Sequence, residues 1–207
     1  MNQPKPRASS YGSKSRPAAL DKIPIRPELA VLGMKLFLVS LSALFAVGLV
    51  GCLAVRLRAA AWPPAGIPPL SKGLWVSTIL ILASSATVQW ALRGARRGRQ
   101  RPLRAGLPAT ALLGALFLVS QIANWRRLIA AQITVQSSLY AFTFFTLGGL
   151  HGAHVVVGLI PLGLVAARAF RGRYGPDSHL GVRLCAMCWH FLDGVWLAMF
   201  AALFLGS

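Results

Sequence analysis

Two short runs in the last third of the chain carry groups able to do chemistry: His151-Gly-Ala-His154-Val155 and Trp189-His190-Phe191-Leu192-Asp193. Each sets ionisable side chains inside a segment otherwise apolar enough to lie in a lipid bilayer. A charged group near the bilayer centre costs roughly 2.5–3.5 kcal/mol on insertion scales, so these groups need partners within a helix bundle. Imidazoles and a carboxylate could ligate a metal or a haem iron, relay a proton, or tie helices together by hydrogen bonds. On a helix, His151 and His154 share a face with Tyr140, Phe144 and Leu147, while His190 and Asp193 share another. Trp189, Asp193 and Trp196 form a neighbouring stripe. The simplest arrangement is a structural polar cluster of His151, His154, Trp189, His190 and Asp193, in which Asp193 accepts from an imidazole or indole N–H. Ser84, Ser85, Thr87 and Gln89 could extend it.

Other chemistries lack material. A His-x-x-His with a His-x-x-Asp could hold a metal, and two histidines on different helices could hold a haem. His179, however, falls in a loop, and the apolar segments carry no Glu for a di-metal carboxylate site. A proton relay through His190 and Asp193 has no continuation toward the basic side of the membrane. No phosphate-cradling loop, nucleophile elbow or carboxylate pair is present. No catalytic, cofactor-binding or metal residue is therefore assigned to the chain. Cys185-x-x-Cys188 has no second cysteine pair, and with Cys52 it reads as small apolar residues in packed helices.

The elements that must position these groups follow from the distribution of charge. The 207 residues are 56% hydrophobic and 13% charged, and the charges cluster between long apolar runs. That pattern is an all-α, polytopic membrane protein. The formal net charge is +18, but the arginines sit at the ends of apolar segments, which points to topology and anionic lipid rather than to nucleic acid. Residues 1–28 read as a basic, disordered cytoplasmic tail, since no signal-peptide apolar region follows the first residues. Residues 29–207 read as a five-helix transmembrane domain, with helices over about 29–55, 73–92, 106–125, 137–167 and 182–205. Unbroken hydrophobicity selects helices over barrel strands, which would alternate.

In the fourth helix, Gly148 and Gly152 have the spacing that admits a neighbouring helix, and Pro161 is expected to kink it. The Pro-rich segment Ala61–Leu70 reads as a short, stiff outer loop. Most of the 22 Lys and Arg belong to the tail, to Arg93–Arg104 and to Arg168–Arg173. Only Arg56, Arg58, Lys72, Arg126 and Arg127 fall on the other side. The charge rule then places the N-terminus in the cytoplasm and the C-terminus in the periplasm.

These motifs together resemble subunit III of the haem–copper terminal oxidases, the cytochrome c and quinol oxidase superfamily. Ser138–Val155 (SLYAFTFFTLGGLHGAHV) is similar to the family's penultimate helix. Leu180–Asp193 (LGVRLCAMCWHFLD), followed by Val195-Trp196, is similar to its last, where Trp-His-Phe-x-Asp-x-x-Trp is the most specific run. Leu74-Trp75, Ser77-Thr78, Ser84-Ser85 and Thr87 resemble another family helix. The resemblance spans about Leu29 to Leu205 and is to the short, five-helix form.

It implies a non-catalytic subunit of an aerobic respiratory oxidase in the bacterial cytoplasmic membrane, with haem and copper in partner subunits and none in this chain. Its partners would be the catalytic subunit I, subunit II and membrane lipids. It would stabilise subunit I against turnover-linked inactivation and support proton uptake and electron-transport-linked oxygen reduction. The run Gly33–Ser42 resembles a family segment in which a buried Glu follows the Ser and a Trp stands two residues after the Gly. Here those positions are Leu41 and Lys35, and Ser77 replaces a family Asn, so a carboxylate-centred role does not carry over. The competing readings are a subunit-III-like accessory protein of a nitric oxide reductase system and a stand-alone b-type haem or metal membrane protein. A transporter is disfavoured by the lack of broken helix pairs.

Overall fold

The computed structural model describes residues 26–58 and 72–204. Five helices account for nearly all of them: α1 Pro27–Arg58, α2 Lys72–Arg96, α3 Gln100–Ala130, α4 Leu139–Phe170 and α5 Leu180–Phe204. Each is long and apolar enough to cross a membrane. Even the 25-residue helices reach about 37 Å at 1.5 Å per residue, against roughly 30 Å of hydrocarbon. No strand occurs among the described residues.

All five expected spans are present, and most run further than hydropathy suggests. The largest difference is α3, expected over about 106–125 and found over Gln100–Ala130. Its added turns carry Arg101, Arg104, Arg126 and Arg127. Arginine stems lie along apolar surface while their heads reach water, so the charges mark the membrane edge and not the helix end. Pro27 and Glu28, read as tail, form the first turn of α1, where a proline lacks no needed N–H and a carboxylate meets the positive helix end. The rest of the tail, residues 1–25, and the Pro-rich segment Ala61–Leu70 lie outside the described residues. Pro161 lies inside α4, which continues to Phe170, and Pro108 lies inside α3.

The turns are short and chemically specified. Gly98 (φ +67°) and Gly172 (φ +68°) take the left-handed conformation that a Cβ disfavours, closing the turns after α2 and α4. Ser138 caps α4 by accepting from the Ala141 N–H at 3.1 Å. Arg104 Nε donates to the Ala169 carbonyl at 3.2 Å and Gln100 Nε2 to the Tyr174 carbonyl at 2.9 Å. The two basic loops therefore sit together at one end of the bundle. At the tail of α5, Arg56 Nη1 donates to the Ala202 carbonyl at 3.0 Å. Both arginines complement the negative end of a helix.

The helices close a ring in the order α2, α3, α4, α1, α5, with α4 and α5 also touching across it. The most extensive interface joins α2 and α3, and a glycine explains it. A methyl at Gly106 would lie 2.9 Å from both the Thr87 carbonyl oxygen and Ala91 Cβ. A close backbone approach lies at this residue. Gly148 and Gly152 face the Trp125 and Leu118 side chains of α3, at 3.5 and 3.8 Å from an added methyl, which is ordinary contact. Phe45, Ile81, Leu103, Phe117, Leu162 and Leu192 are fully buried between the helices. Outside, α1 presents Val39, Val47, Val50 and Leu57. Apolar side chains face outward, as a bilayer solvent requires.

Candidate functional site

The sequence-derived cluster resolves into separate arrangements built on different helix pairs. The wall between α2 and α5 is the most polar. A tryptophan N–H can only donate, so a buried indole needs an acceptor. Trp189 Nε1 donates to Ser84 Oγ at 2.9 Å and Trp196 Nε1 to Thr78 Oγ1 at 3.1 Å. Each hydroxyl keeps a place for its own proton, Ser84 on the Ile81 carbonyl (2.7 Å) and Thr78 on the Leu74 carbonyl (2.9 Å). Back-bonding of this kind leaves the oxygen lone pairs facing the next helix. Two turns of α5 are thereby pinned to two turns of α2.

His190 continues the same wall. Its Nδ1 is 2.7 Å from Ser85 Oγ, and its Nε2 donates to Gln89 Oε1 at 3.1 Å. Asp193, one turn on, is only 4% exposed, yet neither carboxyl oxygen has a hydrogen-bond partner among the described residues. His190 Nδ1 stands 4.0 Å from Asp193 Oδ2, beyond hydrogen-bond reach. The expected donation from an indole or imidazole to Asp193 does not occur: the indoles donate to Ser84 and Thr78, His190 Nε2 donates to Gln89, and its Nδ1 then accepts from the Ser85 hydroxyl.

The histidines of α4 stand apart from this wall. His151 is fully buried, with ring centroids of Phe45, Phe117 and Trp196 at 6.3, 5.7 and 5.6 Å. Neither of its nitrogens has a hydrogen-bond partner among the described residues. It serves as an aromatic keystone joining α1, α3, α4 and α5. His154 Nδ1 donates to the Leu150 carbonyl of its own helix at 2.7 Å, and its ring packs on Phe45 at 5.3 Å. The direct link from His151 or His154 to Asp193 is absent: three aromatic rings, Phe45, Phe117 and Trp196, surround His151, and His154 bonds its own helix.

Two further features escaped the motif reading. Gly114 of α3 makes room for the Trp189 ring, since a methyl there would lie 2.7 Å from Cη2. Thr87 and Thr110 pair across α2 and α3 at 2.8 Å, as do Ser77 and Ser120. The recurrence of small residues on α3, at Gly106, Thr110 and Gly114, was the available signal.

Both nitrogens of His190 are engaged within the chain, one nitrogen of His154 is engaged, and His151 is walled by rings. Among the described residues, no three His, Cys, Asp or Glu approach closely enough to share a metal ion. A groove of about 340 Å³ opens between α1, α4 and α5, and Leu41 lines it together with His154, Cys185 and Cys188. Leu41 gives the groove a hydrocarbon wall on the α1 side.

Residues 25–207 match the family described as Cytochrome c oxidase subunit III. A cytochrome c oxidase subunit 3 from Synechocystis sp. is 33% identical over 181 residues, covering 86% of this chain and 76% of the relative. The subunit 3 from Corynebacterium diphtheriae is 34% identical over 129 residues, covering 62% of the chain and 63% of the relative. The one from Papio hamadryas is 32% identical over 145 residues, 69% of the chain and 54% of the relative. Against animal and plant relatives the chain thus spans about half their length.

Proposed function

The chain belongs to the cytochrome c oxidase subunit III family, and on that basis we propose that it is the five-helix third subunit of an aerobic respiratory haem–copper oxidase in a bacterial cytoplasmic membrane. It has no active site of its own in this reading. Haem and copper belong to the catalytic partner, subunit I, and to subunit II, and this chain holds neither. Its work is to pack against subunit I, to prolong that subunit's life during turnover and to support proton uptake. The single observation that carries the reading is a family match running through all five helices. The contacts agree with it: the most specific run of the chain, Trp189 to Trp196, is engaged largely in holding α5 to α2. A motif used for packing suits a subunit that supports chemistry done elsewhere.

The proposed orientation places the N-terminus in the cytoplasm. Supporting it, the two arginine-rich loops lie side by side at one end of the bundle, where Arg104 meets Ala169. Five crossings then put the C-terminus in the periplasm. Neither the nitric oxide reductase accessory role nor a stand-alone haem or metal protein finds support among these relationships.

The test is to prepare the oxidase with and without this chain. The reduced-haem spectrum per catalytic subunit should be the same in both. Activity without the chain should decay several times faster during sustained turnover, and adding the chain back should restore its duration. Loss of haem absorbance on removing the chain, or an unchanged duration, would contradict the proposal.

A further inference from the structure

The α2–α5 wall does not end inside the molecule. His190 lies near the middle of α5, yet its side chain is 38% exposed on the outer surface. Ser85 and Gln89, which hold its ring, are themselves only partly buried. The His190 bond uses one half of the Gln89 amide, and in either amide orientation the other half has no partner among the described residues. Hydrocarbon cannot satisfy that half. Intramembrane ionisable residues face a bundle interior or a water-filled cavity, and rarely lipid.

The shape beside them fits a helix. Gly194 follows His190 by one turn on the same face, and a methyl there would meet nothing within 4 Å. Gly194 and Ala198 of α5, with Ser42 and Ala46 of α1, line an open groove of about 290 Å³. Small residues spaced in this way let a second helix approach closely. The outward face of α4, by contrast, carries Val156, Ile160 and Leu164, whose apolar side chains need no partner in lipid.

We infer that the α5 face between α1 and α2 is the surface that docks the oxidase, receiving a transmembrane helix of another subunit whose Ser, Thr, Asn or Gln completes the Gln89–His190 pair within the spanning part of α2 and α5. The inference rests on the oxidase-subunit reading and adds which face makes the contact and what the partner must present. A lipid acyl chain cannot supply that group. A second copy of this chain would have to bring another polar notch, and the free half of each Gln89 amide would then have to pair with its twin.

The experiment uses the assembled oxidase in native membranes. A photo-crosslinking phenylalanine analogue is placed at position 194 and, as a control, at position 160. Position 194 should join the chain to a different oxidase polypeptide, while position 160 should not. In parallel, Gly194→Leu and Gln89→Leu should each lower the amount of this chain kept with the haem-containing subunit in mild detergent by about fivefold or more. Unchanged helix content, by circular dichroism of the isolated chain, separates lost docking from lost folding. Capture of lipid alone or of a second copy at position 194, or full retention of both variants, overturns the inference. Crosslinking to the oxidase from 160 and not 194 moves the docking face and leaves the oxidase reading standing. Absence of any haem-containing partner from the unmodified preparation defeats the oxidase reading, and with it the inference.

Discussion

Trp189→Ala is expected to destabilise the isolated chain more than any other single truncation on α5. The ring is 3% exposed, fills the space over Gly114, lies against Gly158, and donates to Ser84. In a soluble core this change costs about 3–5 kcal/mol. In a membrane part of that is absent, because lipid solvates an exposed ring as well as the bundle does, and what remains is lost packing. A cost of about 3 kcal/mol is therefore expected, together with an unpaired Ser84 oxygen. For a chain of this size it corresponds to a fall of about 6–12 °C in the thermal midpoint, read by circular dichroism in detergent. Trp189→Phe, which keeps most of the ring and loses the N–H, should recover most of the fall. A midpoint for Trp189→Ala within about 1 °C of the unmodified chain would show that the ring does not wedge α3 and α5 apart.

Gly106→Val should be more damaging still, because the obstacle is backbone. The first added carbon already lies 2.9 Å from the Thr87 carbonyl oxygen and 3.2 Å from the Ala91 nitrogen, and neither can rotate away. Overpacking against mobile side chains costs about 1–3 kcal/mol, and a rigid neighbour places this site above that range. The helices must separate, which breaks the 2.8 Å Thr87–Thr110 pair. Folded chain in the membrane should fall about tenfold or more. Gly163→Ala is the matched control: nothing lies within 4 Å of its added methyl, and the change removes a helix-interior glycine. It should accumulate normally. Equal accumulation of Gly106→Val and Gly163→Ala would mean that α2 and α3 do not meet at Gly106.

The helices were legible in the sequence because the bilayer imposes a simple rule, a run of about twenty apolar residues for each crossing. Their ends were less so. Charge was read as the end of a helix, whereas Arg101, Arg104, Arg126 and Arg127 belong to α3's outer turns. The site residues were identifiable as unusual, since His and Asp in an apolar run cannot be indifferent to their surroundings. Their partners were harder to name. Spacing fixes which residues share a face of one helix and says nothing of the rotation of the next. Trp189 therefore meets Ser84 rather than Asp193, and His151 meets Phe45, Phe117 and Trp196 rather than any polar group. Gly148 and Gly152 have the packing pattern, while Gly106 makes a tighter contact than either. Only the packed bundle distinguishes a glycine facing a flexible side chain from one facing a carbonyl.

The most direct measurement is a mild-detergent purification through a tag at the N-terminus, with an absorbance spectrum taken before and after the partners are stripped away. Haem and copper should arrive with a large multi-helix partner and depart with it, leaving a colourless 22.1 kDa chain. A haem band that stays with the isolated chain would make its histidines ligands and contradict the reading of a subunit without a redox centre.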